Sequence, residues 1–178
     1  TVSGANNVAN AEIGQSFNAE AGYFLLNTGS FIDTTGSSGK NGGDITIRTI
    51  VRSSSLDAAT TGHLDIKGNL ITSGGTATSI GRAGGNVTLS AGLDTDGASG
   101  FEGATGNTAG VITIYTGADI TTTGSNATGS GDSSGGAGGT VTFDTNSTTI
   151  VLADTSISTG GGTKVNGGTD GAGGWLGL

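Results

Sequence analysis

His63 is the one histidine, and it is the first residue to weigh for chemistry because imidazole changes charge near neutral pH. It stands beside Asp65, with Asp57 a little upstream. A nucleophilic triad or a helical HExxH zinc site would need partners at fixed spacing, and neither pattern is present. His63 therefore reads as a surface residue at a strand end. Cleavage of a glycosidic bond would need two carboxyl groups flanking it, but Asp33, Asp65, Asp119 and Asp144 fall on separate segments. No catalytic residue is assigned, and an enzyme is not expected. Loops mixing Asp, Asn and Gly suit a hard cation such as Ca2+, which takes oxygen ligands. They occur at 39–44, 94–97, 129–136 and 167–174, and the best-placed set is Asp94, Asp96 and Glu102. None matches the twelve-residue hand loop or the nonapeptide Ca2+ repeat. The same residues are ordinary turn formers, so Ca2+ is a candidate and no cofactor is required.

These residues must be held by elements that a Gly-rich chain can form. The sequence has 178 residues with 38 Gly and no Pro, Cys or Met. Glycine at this density defeats a helical reading, since each interior Gly costs about 1 kcal/mol. The aliphatic residues sit in short alternating runs, which argues for strands rather than disorder. A net charge of −8 without a basic run disfavours nucleic acid. No apolar run approaches the ~20 residues that span a bilayer, so membrane insertion is not expected.

The strands recur as a phrase. Strand a opens with GG: GGDITI at 42–47, GGNVTL at 84–89 and GGTVTF at 138–143. Strand b follows as HLDI, VITI and TIVL, and strand c as NLITS, DITTT and TSIST. An internal repeat of this kind decides the fold. Three strands recurring in one order predict parallel stacking, each a upon the next a. The expected fold is an all-β parallel β-helix of about three full three-strand coils with partial coils at both ends. The expected inward residues are Ile45, Ile47, Leu64, Ile66, Val87, Leu89, Ile112, Ile114, Val141, Phe143, Ile150 and Leu152, with Ile71, Ile120 and Ile157 on strand c. Outward Thr46, Thr88 and Thr142 form a ladder. With Thr72, Thr121 and Ser158 they raise ice binding as a minor alternative, although strands favour Thr in any case.

The two ends read as complementary. Segments 22–26 and 30–34 fit strands b and c, with Phe24, Leu26 and Ile32 inward, and no good strand a precedes them. Residues 1–21 are read as an irregular segment or a capping or interface arm, and residues 22–178 as one solenoid domain. At the far end GGWLGL reads as a lone strand a. Trp175, Leu176 and Leu178 are then expected to complete the coil of Tyr23, Phe24, Leu25 and Phe31 in the next copy. Strand addition of this type, repeated without closure, makes a filament.

The stretches GGDITIRT, GGNVTLSA, VITIYTGADITTTG and GGTVTFDT resemble repeats of filamentous-haemagglutinin-like exoproteins and of β-strand-repeat surface proteins of Gram-negative bacteria. The resemblance covers roughly residues 22–178. It implies a right-handed parallel β-helix and a life as an adhesin, fibre or coat outside the cell. The expectation is thus a non-enzymatic extracellular subunit that polymerises head to tail, in a fibre, sheath or biofilm matrix at a bacterial surface. The alternative is an adhesin module whose loops bind glycan or host surface.

Overall fold

The computed structural model describes residues 5–7, 15–50, 62–77, 79–93, 110–145 and 149–178. Strand a recurs as β2 (Phe17–Ala21), β5 (Ile45–Ile50), β8 (Val87–Leu93), β11 (Val141–Thr145) and β14 (Leu176–Gly177). Strand b recurs as β3 (Phe24–Leu26), β6 (Leu64–Ile66), β9 (Ile112–Ile114) and β12 (Ile150–Leu152). Strand c recurs as β1 (Ala5–Asn7), β4 (Phe31–Asp33), β7 (Asn69–Ile71), β10 (Ile120–Thr121) and β13 (Ile157–Ser158). Like strands pair in parallel in three sheets of five, four and five strands, a parallel β-helix.

The inward columns explain why the repeat folds this way. Ile45, Val87 and Val141 stand in register on strand a, as do Leu64, Ile112 and Ile150 on strand b and Ile32, Leu70, Ile120 and Ile157 on strand c. Branched aliphatics of similar size line this three-sided interior, as close packing favours. In the middle coils these side chains are wholly buried. At ~25 cal/mol per Å2 of apolar surface, each contributes about 1.5–3 kcal/mol.

Three expectations are corrected. First, the opening coil does not lack strand a: β2 pairs with β5 along its whole length, placing Phe17 on Ile45 and Ala19 on Ile47. Four coils are therefore complete, the stack includes residues before position 22, and the complementary deficit of the two ends is gone. The sequence hides β2 because Ala19 is a weak inward anchor and Asn18 and Glu20 alternate with it. Second, Leu70 rather than Ile71 is the inward residue of β7. The corner from inward Ile66 to inward Leu70 is shorter than those from Leu26 to Ile32 and from Ile114 to Ile120, and at Gly68 a Cβ would strike the Ser30 carbonyl of the layer below. That shortening moves the anchor by one residue and turns Ile71 outward. Third, Thr72 points inward and is buried, so it belongs to no outer ladder. Ile71, Thr121 and Ser158 share that outer column instead.

Thr72 has inward counterparts in Thr34 and Thr122. Each closes the coil at the GG pair. The hydroxyls of Thr34, Thr72 and Thr122 donate to the carbonyls of Gly43, Gly85 and Gly139 at 2.6, 2.7 and 2.7 Å. The same glycines donate their N–H back to the threonine carbonyls at 2.8, 2.6 and 2.6 Å. Thr159 and Gly174 repeat the clasp in the last coil. The clasp pinches off the chain between strands c and a, and those excursions stack on one another as a glycine fin. Gly36 donates to Ser73, Gly74 to Thr123 and Gly124 to Gly160, while Gly42, Gly84 and Gly138 on the return legs donate to Ala83, Ala137 and Ala172. The two legs of each coil also touch backbone to backbone. A Cβ on Gly74, Gly124 or Gly161 would meet main-chain oxygens of the returning leg, at under 3.0 Å. Residues 124–137 form one layer of this fin.

Polar turn residues join the layers. The N–H of Asn86 donates to Asp44 Oδ1 (2.7 Å), and that of Thr140 to Asn86 Oδ1 (2.9 Å). On strand c, Asp119 N–H donates to Asn69 Oδ1 (3.0 Å) and Ser156 N–H to Asp119 Oδ1 (3.3 Å). Each carboxylate or amide thus caps the backbone of the layer above it.

Candidate functional site

Two regions stand out from this framework, and the first is the open end of the last coil. Among the described residues the exposed large apolar side chains are Ile80, Val151, Leu152, Trp175, Leu176 and Leu178. All but Ile80 belong to β12 or to the segment around β14. Leu152 continues the inward column of Ile66 and Ile114, and Leu176 that of Val87 and Val141. Their exposure, 43% each, reflects their place on the edge strands β12 and β14 of their sheets. Ile150, Leu152 and Ile157, all expected to be buried, are correspondingly half-open or exposed. The opening coil differs: Phe24, Leu26 and Ile32 there are buried.

The interface residues expected from sequence are not all at these ends. Trp175 is 63% exposed, and it takes the outer rather than the inner side of strand a. Its ring lies over Gly177, where a Cβ would meet the ring carbons. Phe24 is closed in the core, which removes it as a contact residue. Tyr23, Leu25 and Phe31 are half-buried. Alternation with inward Phe24, Leu26 and Ile32 turns them to the outer faces of sheets b and c. They do not form one axial surface with the strand edges.

The second region is the outer face of sheet b. Leu25, Asp65, Thr113 and Val151 stand in register across it. The chain has only two tyrosines, and both reach Asp65 from neighbouring layers. Tyr23 donates its hydroxyl to Asp65 Oδ2 at 2.7 Å, and Tyr115 to Oδ1 at 3.5 Å. Lys67 Nζ sits 4.6 Å from the centre of the Tyr115 ring, within cation–π range. The N–H of Val111 donates to His63 Nδ1 at 3.3 Å, which leaves the proton of the neutral imidazole on Nε2. Burial first, then the hydrogen bond and the charge of Asp65, push the Tyr23 phenol up to about 12. Burial and Asp65 also raise Tyr115.

Asp94, Asp96 and Glu102, the expected Ca2+ set, lie outside the described residues. The other acidic turns are engaged as backbone caps. Asp132 Oδ1 accepts from Gly167 N–H and Asp170 Oδ1 from Lys164 N–H, both at 2.9 Å. Among the described residues no three His, Asp or Glu side chains converge as a metal site, and no helix is long and apolar enough to cross a membrane. The sequence missed the Tyr23–Asp65–Tyr115 cluster. Its signal was present: Tyr23 precedes inward Phe24, Tyr115 follows inward Ile114, and Asp65 alternates between Leu64 and Ile66. Comparison with family models, curated proteins and solved structures finds no match to this chain.

Proposed function

We propose that this chain is a non-enzymatic structural β-solenoid that lengthens by stacking copies end to end, in a fibre or coat outside a bacterial cell. The observation that carries this reading is the concentration of exposed apolar side chains on the last coil. Exposed apolar surface of this kind marks an interaction site, and an unprotected sheet edge invites a further strand. A second copy is the occupant that fits, because the edges of the opening coil repeat the same parallel geometry. Stacked in this way, β1 of one copy lies on β13 of the next and β2 on β14. Sheets a and c then run on without a break, while sheet b is one strand short at each junction, because it has four strands against five. The mode differs from the sequence expectation, since no strand a is missing for GGWLGL to supply.

Two inward leucines on the sheet-a edge, Leu176 and Leu178, would be covered. At ~1.5–3 kcal/mol each this offers roughly 3–6 kcal/mol before the cost of association. Sedimentation velocity over a range of concentrations, with electron microscopy of the same samples, tests the reading. Rods that lengthen with concentration are expected, and Leu176→Lys should shorten them by placing a charge in the junction. A monomer at every concentration, or rods unaffected by Leu176→Lys, would overturn it; in the first case further coils of a longer chain become the natural cover for this edge.

A further inference from the structure

We propose that the outer face of sheet b around Asp65 binds a neutral glycan, with its sugar rings lying along the stack. Asp65 accepts one hydrogen bond on each carboxylate oxygen, from Tyr23 and Tyr115. An ionised carboxylate has about four acceptor positions, so each oxygen keeps one for a hydroxyl of the ligand, and a pair of adjacent sugar hydroxyls matches that spacing. The Tyr23 ring is tethered by its hydroxyl to the carboxylate at 2.7 Å, and the Tyr115 ring, with its hydroxyl 3.5 Å from the same carboxylate, carries Lys67 over its face, so both have already lost freedom. A ring fixed beside an acceptor presents an apolar surface and a polar handle together, as a sugar's C–H face and hydroxyls require. Pre-organisation of this kind lowers the entropic cost of binding. Lys67, held over the Tyr115 ring, adds a donor for a ring or glycosidic oxygen.

The charge balance selects the class of ligand. Asp65 and Lys67 offset each other locally, and the chain as a whole carries −8, so polyanions such as nucleic acid or acidic polysaccharide are disfavoured. The cluster spans three successive layers of a strand face, β3, β6 and β9, which suits an extended polymer. It is complete within one chain, so the inference stands independently of whether copies stack.

Affinity electrophoresis through gels containing a soluble polysaccharide tests it, with β-1,4-xylan, a substituted β-1,4-glucan, α-1,6-glucan and α-mannan as neutral probes and polygalacturonate as the acidic one. Retardation by at least one neutral probe is expected. Asp65→Asn and Tyr23→Ala should each weaken it by about tenfold or more, the loss expected for a hydrogen bond to a charged group or a ring contact. Tyr23→Phe, which keeps the ring, should be affected less than Tyr23→Ala and guards against a folding artefact. Thr142→Ala on the outer face of sheet a should leave binding unchanged. The proposal fails if no neutral probe retards the protein, if only polygalacturonate does, or if Thr142→Ala loses as much as Asp65→Asn.

Discussion

Replacing Gly124 by alanine places a methyl group where the fin has no room. A Cβ there would fall under 3.0 Å from the carbonyl carbon and oxygen of Gly136 and from the carbonyl oxygen of Ala137. These are main-chain atoms, so no side-chain rotation relieves the clash. The returning leg is pinned by Gly136 N–H to Ser125 O (2.9 Å) and by Gly84 N–H to Ala137 O (2.9 Å). Admitting the methyl means moving both. Overpacking costs about 1–3 kcal/mol, and each lost ladder bond adds about 0.5–1.5 kcal/mol, for a total of roughly 2–5 kcal/mol. For a domain of this size that lowers Tm by roughly 5–15 °C. Gly131 lies in the same excursion with nothing within 4 Å of a Cβ. Gly131→Ala should be neutral or stabilise by up to about 1 kcal/mol by restricting the unfolded chain. Thermal unfolding of the two variants beside the parent decides the matter. Equal melting temperatures for Gly124→Ala and Gly131→Ala would show that the excursions are independent loops and that the fin is wrongly described.

Ile114→Asp should prevent folding: the side chain is wholly buried mid-stack, and an unpaired buried carboxylate costs several kcal/mol. An unchanged far-UV spectrum and Tm would contradict the inward register. Thr122→Val removes the buried hydroxyl that donates to Gly139 (2.7 Å); a loss of about 1–2 kcal/mol in urea unfolding is expected, and no loss would mean the clasp contributes nothing. Tyr23 should ionise near pH 12, as followed by phenolate absorbance, and Asp65→Asn should bring it down. The folded state holds this proton where the unfolded chain has released it. The stability from this group is thus complete below about pH 10, and is lost as pH rises towards 12. Two phenols titrating together near pH 10 would contradict the cluster.

Strands opened by GG were legible because Ile45, Val87 and Val141 alternate with threonine and recur in one frame. The opening strand was not, because in Phe17–Ala21 the second inward residue is only a methyl group. Leu70 and Ile71 are adjacent and both aliphatic, so the choice between them rested on a corner length that is shorter in this copy than in its neighbours. The glycine fin was hidden for a different reason. Local sequence reads Gly as a turn former, whereas here Gly is selected by the approach of another backbone that lies far away in sequence. The alternation about inward Phe24, Leu64, Ile66 and Ile114 also held the signal that Tyr23, Asp65 and Tyr115 share one outer face, a signal the sequence reading did not use. What it could not supply is the convergence of both hydroxyls on one carboxylate, which depends on side-chain rotamers.

The stacking of copies is tested most directly by a disulfide trap across the junction. Asn7 and Ser158 occupy the same column of sheet c, through Asp33, Ile71 and Thr121. Within one chain they are four strand spacings apart, roughly 19 Å, far beyond the Cα separation of about 4.4–6.8 Å that a disulfide spans. Between stacked copies they would be direct neighbours. The chain has no cysteine of its own, so Asn7→Cys combined with Ser158→Cys gives an unambiguous readout. Mild oxidation should convert it into a ladder of covalent multimers, dimer and upward, while Asn7→Cys paired with Thr46→Cys, on different sheets, should not form one. A double variant that stays monomeric on oxidation, or a control that cross-links equally well, would contradict end-to-end stacking.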